Sequence, residues 1–266
     1  MENKKIAYLG PKATFTEEAA LKFFHENNNF IPVIRIDDVF RKVINEEVDF
    51  GVVPVENSIA GTITDTMDLF ITTNLKIYDQ VTIEIKQTLL SKYKREKIKK
   101  IFSHPNSFYQ CSKYIFDNFP KVEYIETTSN AKAAVLALEE PNSASIGPIL
   151  CAKEYGLNVL EENINDFKHN ETKFFIISKN LRKETKKKSM IIFSVPNKPG
   201  SLYHALRYFK KNRVNMTKIE SRPSKMKKWD YVFIVEYDNG SDLKRVKKLL
   251  NKMEKLCDYF NYLGSY

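Results

Sequence analysis

Short apolar runs punctuate the chain at residues 5–9, 31–36, 50–55, 81–90, 100–103, 122–126, 144–147 and 174–178. They have the lengths of strands, and the segments between them carry helical periodicity. Residues 17–26 gather Ala19, Ala20, Phe23 and Phe24 on one helical face, and residues 131–139 gather Ala134, Val135 and Leu138. Strands alternating with helices predict an α/β domain built on mostly parallel strands. Residues 180–189 interrupt the pattern: they are charged, rich in lysine and without an apolar period, which predicts a linker. Beyond them come a strand (190–195), a helix (200–211), two strands (214–221 and 229–237), a helix (242–255) and a strand (258–263). That βαββαβ order is the ferredoxin-like arrangement. The expected domains are therefore residues 1–182 and 189–266, a division that suits 266 residues.

The junctions between strands and helices share a chemistry. Leu9-Gly10-Pro11 leads to Thr14-Phe15-Thr16-Glu17, with the spacing of a capping box. Glu56-Asn57-Ser58 leads to Thr62-Ile63-Thr64-Asp65, Ser103-His104 precedes a helical stretch, and Thr127-Thr128-Ser129-Asn130 precedes another. Each places hydroxyls and free backbone N–H groups at a helix start, which suits carboxylates and other anions. Any one of them is an ordinary N-cap. Four in one domain point to a shared anionic ligand without identifying it.

Charge changes the picture less than its total suggests. The net charge is +10, but residues 1–188 carry 27 Lys and Arg against 26 Asp and Glu, whereas residues 189–266 carry 16 against 7. The basicity belongs to the second domain. The short runs Lys186-Lys187-Lys188 and Lys225-Met226-Lys227-Lys228, in linker and turn positions, lack interleaved aromatics and read as solvated surface; neither nucleic acid nor membrane is expected as a partner. Residues 1–9 contain no apolar run long enough for a signal peptide, and Cys111, Cys151 and Cys257 are scattered, so a cytoplasmic protein with thiols in its core is expected. There is no GxGxxG turn after a strand, no P-loop and no metal-spaced cluster; His25, His104, His169 and His204 lie apart, with only His104 and His169 near motifs.

Several motifs, in order, resemble those of prephenate dehydratases over essentially the whole chain. Gly10-Pro11-Lys12-Ala13-Thr14-Phe15-Thr16 is similar to the family's opening, with Ala13 where Gly is usual. Pro54-Val55-Glu56-Asn57-Ser58-Ile59-Ala60-Gly61-Thr62, followed by Asp65, Thr66, Asp68 and Leu69, is a close match to a second motif. Ser103-His104-Pro105 with Gln110-Cys111 resembles a third, with Asn106 for the usual Gln, and Asn170-Glu171-Thr172-Lys173-Phe174 a fourth, with Lys173 for Arg. In the second domain, Pro199-Gly200-Ser201-Leu202 and Glu220-Ser221-Arg222-Pro223 resemble the family's ACT regulatory domain.

The resemblance implies a two-lobed catalytic domain like type II periplasmic binding proteins, crossed near residues 78–90 and again near 165–174. It implies removal of CO2 and the ring hydroxyl from prephenate to give phenylpyruvate. Aromatisation drives that reaction, so no cofactor or metal is expected. Thr172, with Asn57 and Ser58, would be catalytic, Thr172 touching the departing hydroxyl. Thr14, Glu56, Thr62, Ser103, Gln110, Ser129, Asn170, Lys173 and Phe174 would bind substrate, Lys173 supplying charge to a carboxylate. Asn57, Ser58 and Thr62 would form one wall, Ser103, Gln110 and Ser129 the other. Glu56 also reads as a structural charge, and Phe15 and Phe174 as core. L-phenylalanine would bind between paired ACT domains of a homodimer or homotetramer, at Pro199, Gly200, Ser201, Leu202, Asn215, Glu220, Ser221, Arg222 and Pro223, with Glu220 and Arg222 as an interface or hinge pair. A solute-binding sensor would use the same two lobes, and a dehydratase acting on arogenate the same chemistry.

Overall fold

The computed structural model describes residues 3–225 and 229–266. Met226, Lys227 and Lys228 of the lysine run lie outside the described residues. The chain opens with β1 (Lys5–Leu9), α1 (Phe15–Phe24), β2 (Asn29–Val33), α2 (Ile36–Ile44), β3 (Phe50–Asn57), β4 (Gly61–Thr62), α3 (Thr64–Thr72) and β5 (Lys76–Glu84). It then crosses to a second sheet with β6 (Thr88–Ser91), β7 (Lys100–Ser103), α4 (Pro105–Gln110), α5 (Ser112–Asn118), β8 (Glu123–Glu126), α6 (Asn130–Glu139), β9 (Ser143–Gly147), α7 (Leu150–Tyr155) and β10 (Asn158–Glu161). It returns with β11 (Glu171–Ser178). The first sheet runs β2-β1-β3-β11-β5, with β4 on β3, and the second runs β10-β6-β9-β7-β8.

Several expectations need correction. The sheets are mixed rather than mostly parallel: β1 is parallel to β2 and β3, and β7 to β8 and β9, but β11 is antiparallel to both β3 and β5, and β6 to both β9 and β10. Segments that cross between lobes enter their new sheet from the opposite end. For the same reason the run at 81–90 is two strands, β5 and β6, in different sheets. Finally, Ile36 starts a helix and does not end a strand. Residues 36–44 place Val39, Phe40 and Val43 on a buried face, with Asp37 and Asp38 in the first turn and Arg41 and Lys42 in the last, charges that complement the helix dipole. This helix packs so closely that a Cβ on Gly51 of β3 would lie 2.6 Å from Val39 Cγ1.

The last strands and helices are β12 (Lys188–Ser194), α8 (Ser201–Lys211), β13 (Met216–Pro223), β14 (Tyr231–Asp238), α9 (Leu243–Leu256) and β15 (Tyr259–Ser265). They form an antiparallel sheet in the order β13-β14-β12-β15. Lys188 and Ser189, read as linker, are paired in β12. Apart from one exposed face of β13, this sheet is buried on both sides. Ile191, Phe193, Val235 and Tyr237 meet α8 and α9. Met190, Ile192, Val232, Ile234, Leu263 and Tyr266 join Val53, Val55, Phe175 and Ile177 of the first lobe in one continuous core. The other face of the first-lobe sheet, with Val52, Phe174 and Ile176, packs on α1. Cys111 and Cys151 are buried and Cys257 partly so; burial pushes the Cys151 thiol up to about 12.

Candidate active site

A cavity of about 440 Å³ opens between the two lobes. Its first wall carries Thr14 and Thr16 from the start of α1, Pro54 and Asn57 from β3, and Ala60 and Ile63 before α3. The second wall carries Gln87, then His104, Asn106, Ser107 and Gln110 around α4, and Thr128, Ser129 and Asn130 at the start of α6. Thr172 and Phe174 of β11 lie between the walls. The starts of four helices thus converge on one space. Thr14 Oγ1 accepts from the Glu17 N–H (3.4 Å), His104 Nδ1 from the Asn106 N–H (3.2 Å) and Ser129 Oγ from the Lys132 N–H (3.0 Å); α3 starts at Ile63 with no capping side chain. Among the described residues no lysine or arginine lines the cleft. Burial lowers the His104 pKa, against an opposing pull from Glu126, so its imidazole is neutral near pH 7. The cleft therefore offers an anion oriented dipoles in place of ionic charge.

Asn57 locks the junction beside Thr172. Its Nδ2 donates to Asn170 Oδ1 (2.7 Å), the Glu171 carbonyl (3.2 Å) and Thr172 Oγ1 (2.9 Å), and its Oδ1 accepts from the N–H groups of Ile59 (3.0 Å) and Ala60 (2.9 Å). Thr172 Oγ1 is thereby an acceptor towards Asn57. Among the described residues its own proton meets no acceptor, which leaves it to donate into the cleft. On the second wall, Gln87 Nε2 donates to Ser107 Oγ (3.0 Å) and Gln110 Oε1 (3.1 Å), and Asn130 Nδ2 donates to Ser107 Oγ (2.9 Å).

A family model described as prephenate dehydratase matches residues 6–182, and one described as the ACT domain matches residues 189–255. The chain belongs to the prephenate dehydratase family. It is a lyase. It is 42% identical over 264 residues to the bifunctional chorismate mutase/prephenate dehydratase of Aquifex aeolicus, covering 98% of this chain and 73% of that protein. It is 34% identical to the prephenate dehydratase of Methanocaldococcus jannaschii, covering 99% and 98%. The crystal structure of the Arthrobacter aurescens prephenate dehydratase in complex with L-Phe superposes with a TM-score of 0.89 at 29% identity, covering 98% and 90%.

Within this dehydratase domain the expected site residues divide. Thr14, Asn57, Gln110, Ser129, Thr172 and Phe174 line the cleft. Glu56, Ser58, Thr62, Ser103, Asn170 and Lys173 are not among its lining residues. Ser103 is fully buried and donates to the Ile146 carbonyl (3.0 Å). Ser58 Oγ donates to the His169 carbonyl (3.1 Å) and accepts from the Glu171 N–H (2.9 Å), extending the β3–β11 pairing. Asn170 is buried behind Asn57.

Glu56, Thr62 and Lys173 meet on the far side of the sheet. β11 pairs Thr172 with Asn57 and Lys173 with Glu56, and alternation along a strand sends neighbouring side chains to opposite faces. Lys173 Nζ donates to Glu56 Oε2 (2.8 Å), while Lys218 Nζ of β13 donates to Glu56 Oε1 (2.9 Å) and Thr62 Oγ1 (2.7 Å). Burial alone would raise the Glu56 carboxyl; the hydrogen bonds from Lys173 and Lys218 outweigh it and hold the carboxyl below its ordinary range.

In the ACT domain, Pro199 and Gly200 are exposed ahead of α8, Ser201 and Leu202 open it half-buried, and the Asn215 side chain donates to Asp238 (2.9 Å). Arg222 does not pair with Glu220. It donates from Nε (3.0 Å) and Nη2 (2.8 Å) to Asp68 Oδ1 of α3, and Glu220 faces Lys218 at 3.8 Å. Ser221 and Pro223 are exposed.

Sequence reading missed Gln87, Ser107 and Asn130 as cleft residues. Two signals were available: Asn130 ends the polar Thr127-Thr128-Ser129-Asn130 helix start, and Gln87 is an amide set between Ile85 and Leu89 in an apolar run. Among the described residues no three His, Cys, Asp or Glu side chains cluster as a metal site requires, and no helix is long and apolar enough to cross a membrane.

Proposed function

We propose that the interlobe cleft binds prephenate and converts it to phenylpyruvate, CO2 and water, and that L-phenylalanine restrains the reaction through the ACT domain. The observation that carries this reading is the convergence of four helix starts around Thr172, whose hydroxyl proton is free to donate. Prephenate carries two carboxylates and a ring hydroxyl. Dipoles at helix starts hold the carboxylates without an opposing ion, and a poorly hydrated ring carboxylate loses CO2 more readily. The electron pair left by CO2 aromatises the ring and expels hydroxide, which takes up one proton and leaves as water. Thr172 donates a hydrogen bond to the departing oxygen, aligned by the N–H of Asn57 on its lone pair. Thr14, Gln110 and Ser129 orient the substrate, and Phe174 packs its ring. Glu56, Ser58, Thr62, Ser103, Asn170 and Lys173 act from behind these groups by fixing strands and turns.

On this reading residues 1–182 are the catalytic domain, a hinged pair of lobes of the type II periplasmic-binding-protein kind, and residues 189–266 are the regulatory domain of a cytoplasmic homodimer or homotetramer. Phenylalanine is held by Pro199, Gly200, Ser201, Leu202, Asn215, Glu220, Ser221, Arg222 and Pro223 between paired ACT domains. Inhibition then requires two states that phenylalanine binds unequally. The test is incubation with prephenate, with and without phenylalanine, followed by the alkaline ultraviolet absorbance of phenylpyruvate. Formation above the spontaneous rate, reduced by phenylalanine, is expected; a rate no greater than the spontaneous one ends the reading.

A further inference from the structure

Lys218 belongs to the ACT domain, yet its side-chain hydrogen-bond partners among the described residues, Glu56 and Thr62, belong to the catalytic domain. It is largely buried at the contact between them, and Glu56 is buried to a similar degree. Glu56 and Thr62 are paired across β3 and β4, and Glu56 and Lys173 across β3 and β11. One ammonium therefore grips β3 and β4, and through Glu56 it reaches Lys173 on β11. The next residue along β3 is Asn57 and the residue before Lys173 is Thr172, so the gripped positions lie one residue from the hydroxyl that donates the hydrogen bond and from its aligning amide. Lys173 alone would balance the Glu56 carboxylate. The second lysine holds the pair to β13, with Glu220 nearby to offset the added charge.

β13 is an edge strand of its sheet. Lys218, Glu220 and Arg222 alternate along its inward face, and Thr217, Ile219, Ser221 and Pro223 lie exposed along the other. A displacement of this strand carries Lys218 with it and pulls on the strands that hold Asn57 and Thr172.

We propose that Lys218 is a positioning residue for the dehydratase reaction: from behind the sheet it fixes the strand segment bearing Asn57 and Thr172, and so ties their alignment to the state of the ACT domain. This rests on the reading of the cleft as the prephenate site.

The test uses the full chain with Lys218→Met, Lys218→Arg, Thr62→Val and Lys76→Met. The last removes a different contact between the domains, the bonds from Lys76 Nζ to Asn261 Oδ1 and the Tyr262 carbonyl, at the opposite end of β11. In Lys218→Met, kcat falls about tenfold while KM moves less than about twofold, because alignment is lost rather than substrate contact. The fold-inhibition by phenylalanine drops about fivefold. Hydrogen exchange at the amides of Ser58, Ile59 and Ala60 quickens about tenfold. Lys218→Arg keeps the charge and restores kcat to within about twofold. Thr62→Val, which removes one of the two anchors, gives smaller changes in the same direction, and Lys76→Met leaves kcat and exchange at these amides within about twofold of the parent.

Parent-like kcat and exchange in Lys218→Met overturn the proposal, as does unaltered exchange in Thr62→Val should Lys218→Met not fold. Equal losses in Lys76→Met also overturn it, since domain docking in general would then account for the effect. If the parent chain fails to turn over prephenate, the dehydratase reading falls, and exchange at the three amides decides the positioning role by itself.

Discussion

The two faces of the first-lobe sheet handle charge in opposite ways. On the cleft face, Thr172, Asn57 and four helix starts present neutral donors, and no lysine or arginine lines the space among the described residues. On the far face, Glu56, Lys173, Lys218, Asp68, Arg222 and Lys225 form ion pairs at the contact with the ACT domain. A preorganised dipole can hold an anion without bringing a competing counter-ion into the reaction space. Ion pairs instead give geometry and orientation to an interface whose adhesion comes from the shared apolar core. The same two strands serve both tasks because their side chains alternate.

The largest effect that can break this contrast is at Thr172. Thr172→Ala should lower kcat by about 10²–10³-fold, the range for loss of one donor aimed at developing charge, with the melting temperature little changed. Near-parent activity in a folded Thr172→Ala protein would show that the cleft face is not the reactive one. Asn57→Ala should lower both turnover and stability, the latter by about 1–3 kcal/mol, because it unpairs buried partners at the β3–β11 junction. Loss of activity with unchanged denaturant stability would mean that Asn57 acts only on substrate.

Acid sharpens the comparison on the far face. Glu56 and Asp68 have native pKa values below their ordinary 4.5 and 3.8: burial opposes the shift at both, and hydrogen bonds from Lys173 and Lys218 at Glu56, and from Lys225 and Arg222 at Asp68, prevail. A depressed native pKa gives stability that is complete above the ordinary value and is lost as pH falls through the native one. Stability should therefore fall below about pH 4.5, by roughly 1 kcal/mol or less for each carboxylate, and Glu56→Gln with Asp68→Asn should flatten the fall. An unchanged pH profile of thermal unfolding in the double variant would remove these pairs from the account.

The smallest effect is expected at Ala13, which has φ 60° and is buried against the second lobe. Ala13→Gly relieves the left-handed backbone but loses a packed methyl and frees the unfolded chain, so denaturant titration should give a change below about 1 kcal/mol. A larger change in either direction would mean that one of these opposing contributions dominates.

The sequence by itself was enough for the α/β character, the βαββαβ tail and three of the four polar helix starts, because periodicity and capping are local properties; the fourth, α3, begins at the apolar Ile63 without a capping side chain. The family resemblance also singled out Thr172 and Asn57, which strand pairing makes neighbours in the cleft. The sequence did not reveal the antiparallel return of β11, since pairing partners far apart in the chain leave no local trace. Nor did it separate Thr172 from Lys173, or Asn57 from Glu56. Adjacent residues in a strand face opposite ways, and only the packing of the lobes and the ACT sheet determined which face met the cleft and which met Lys218.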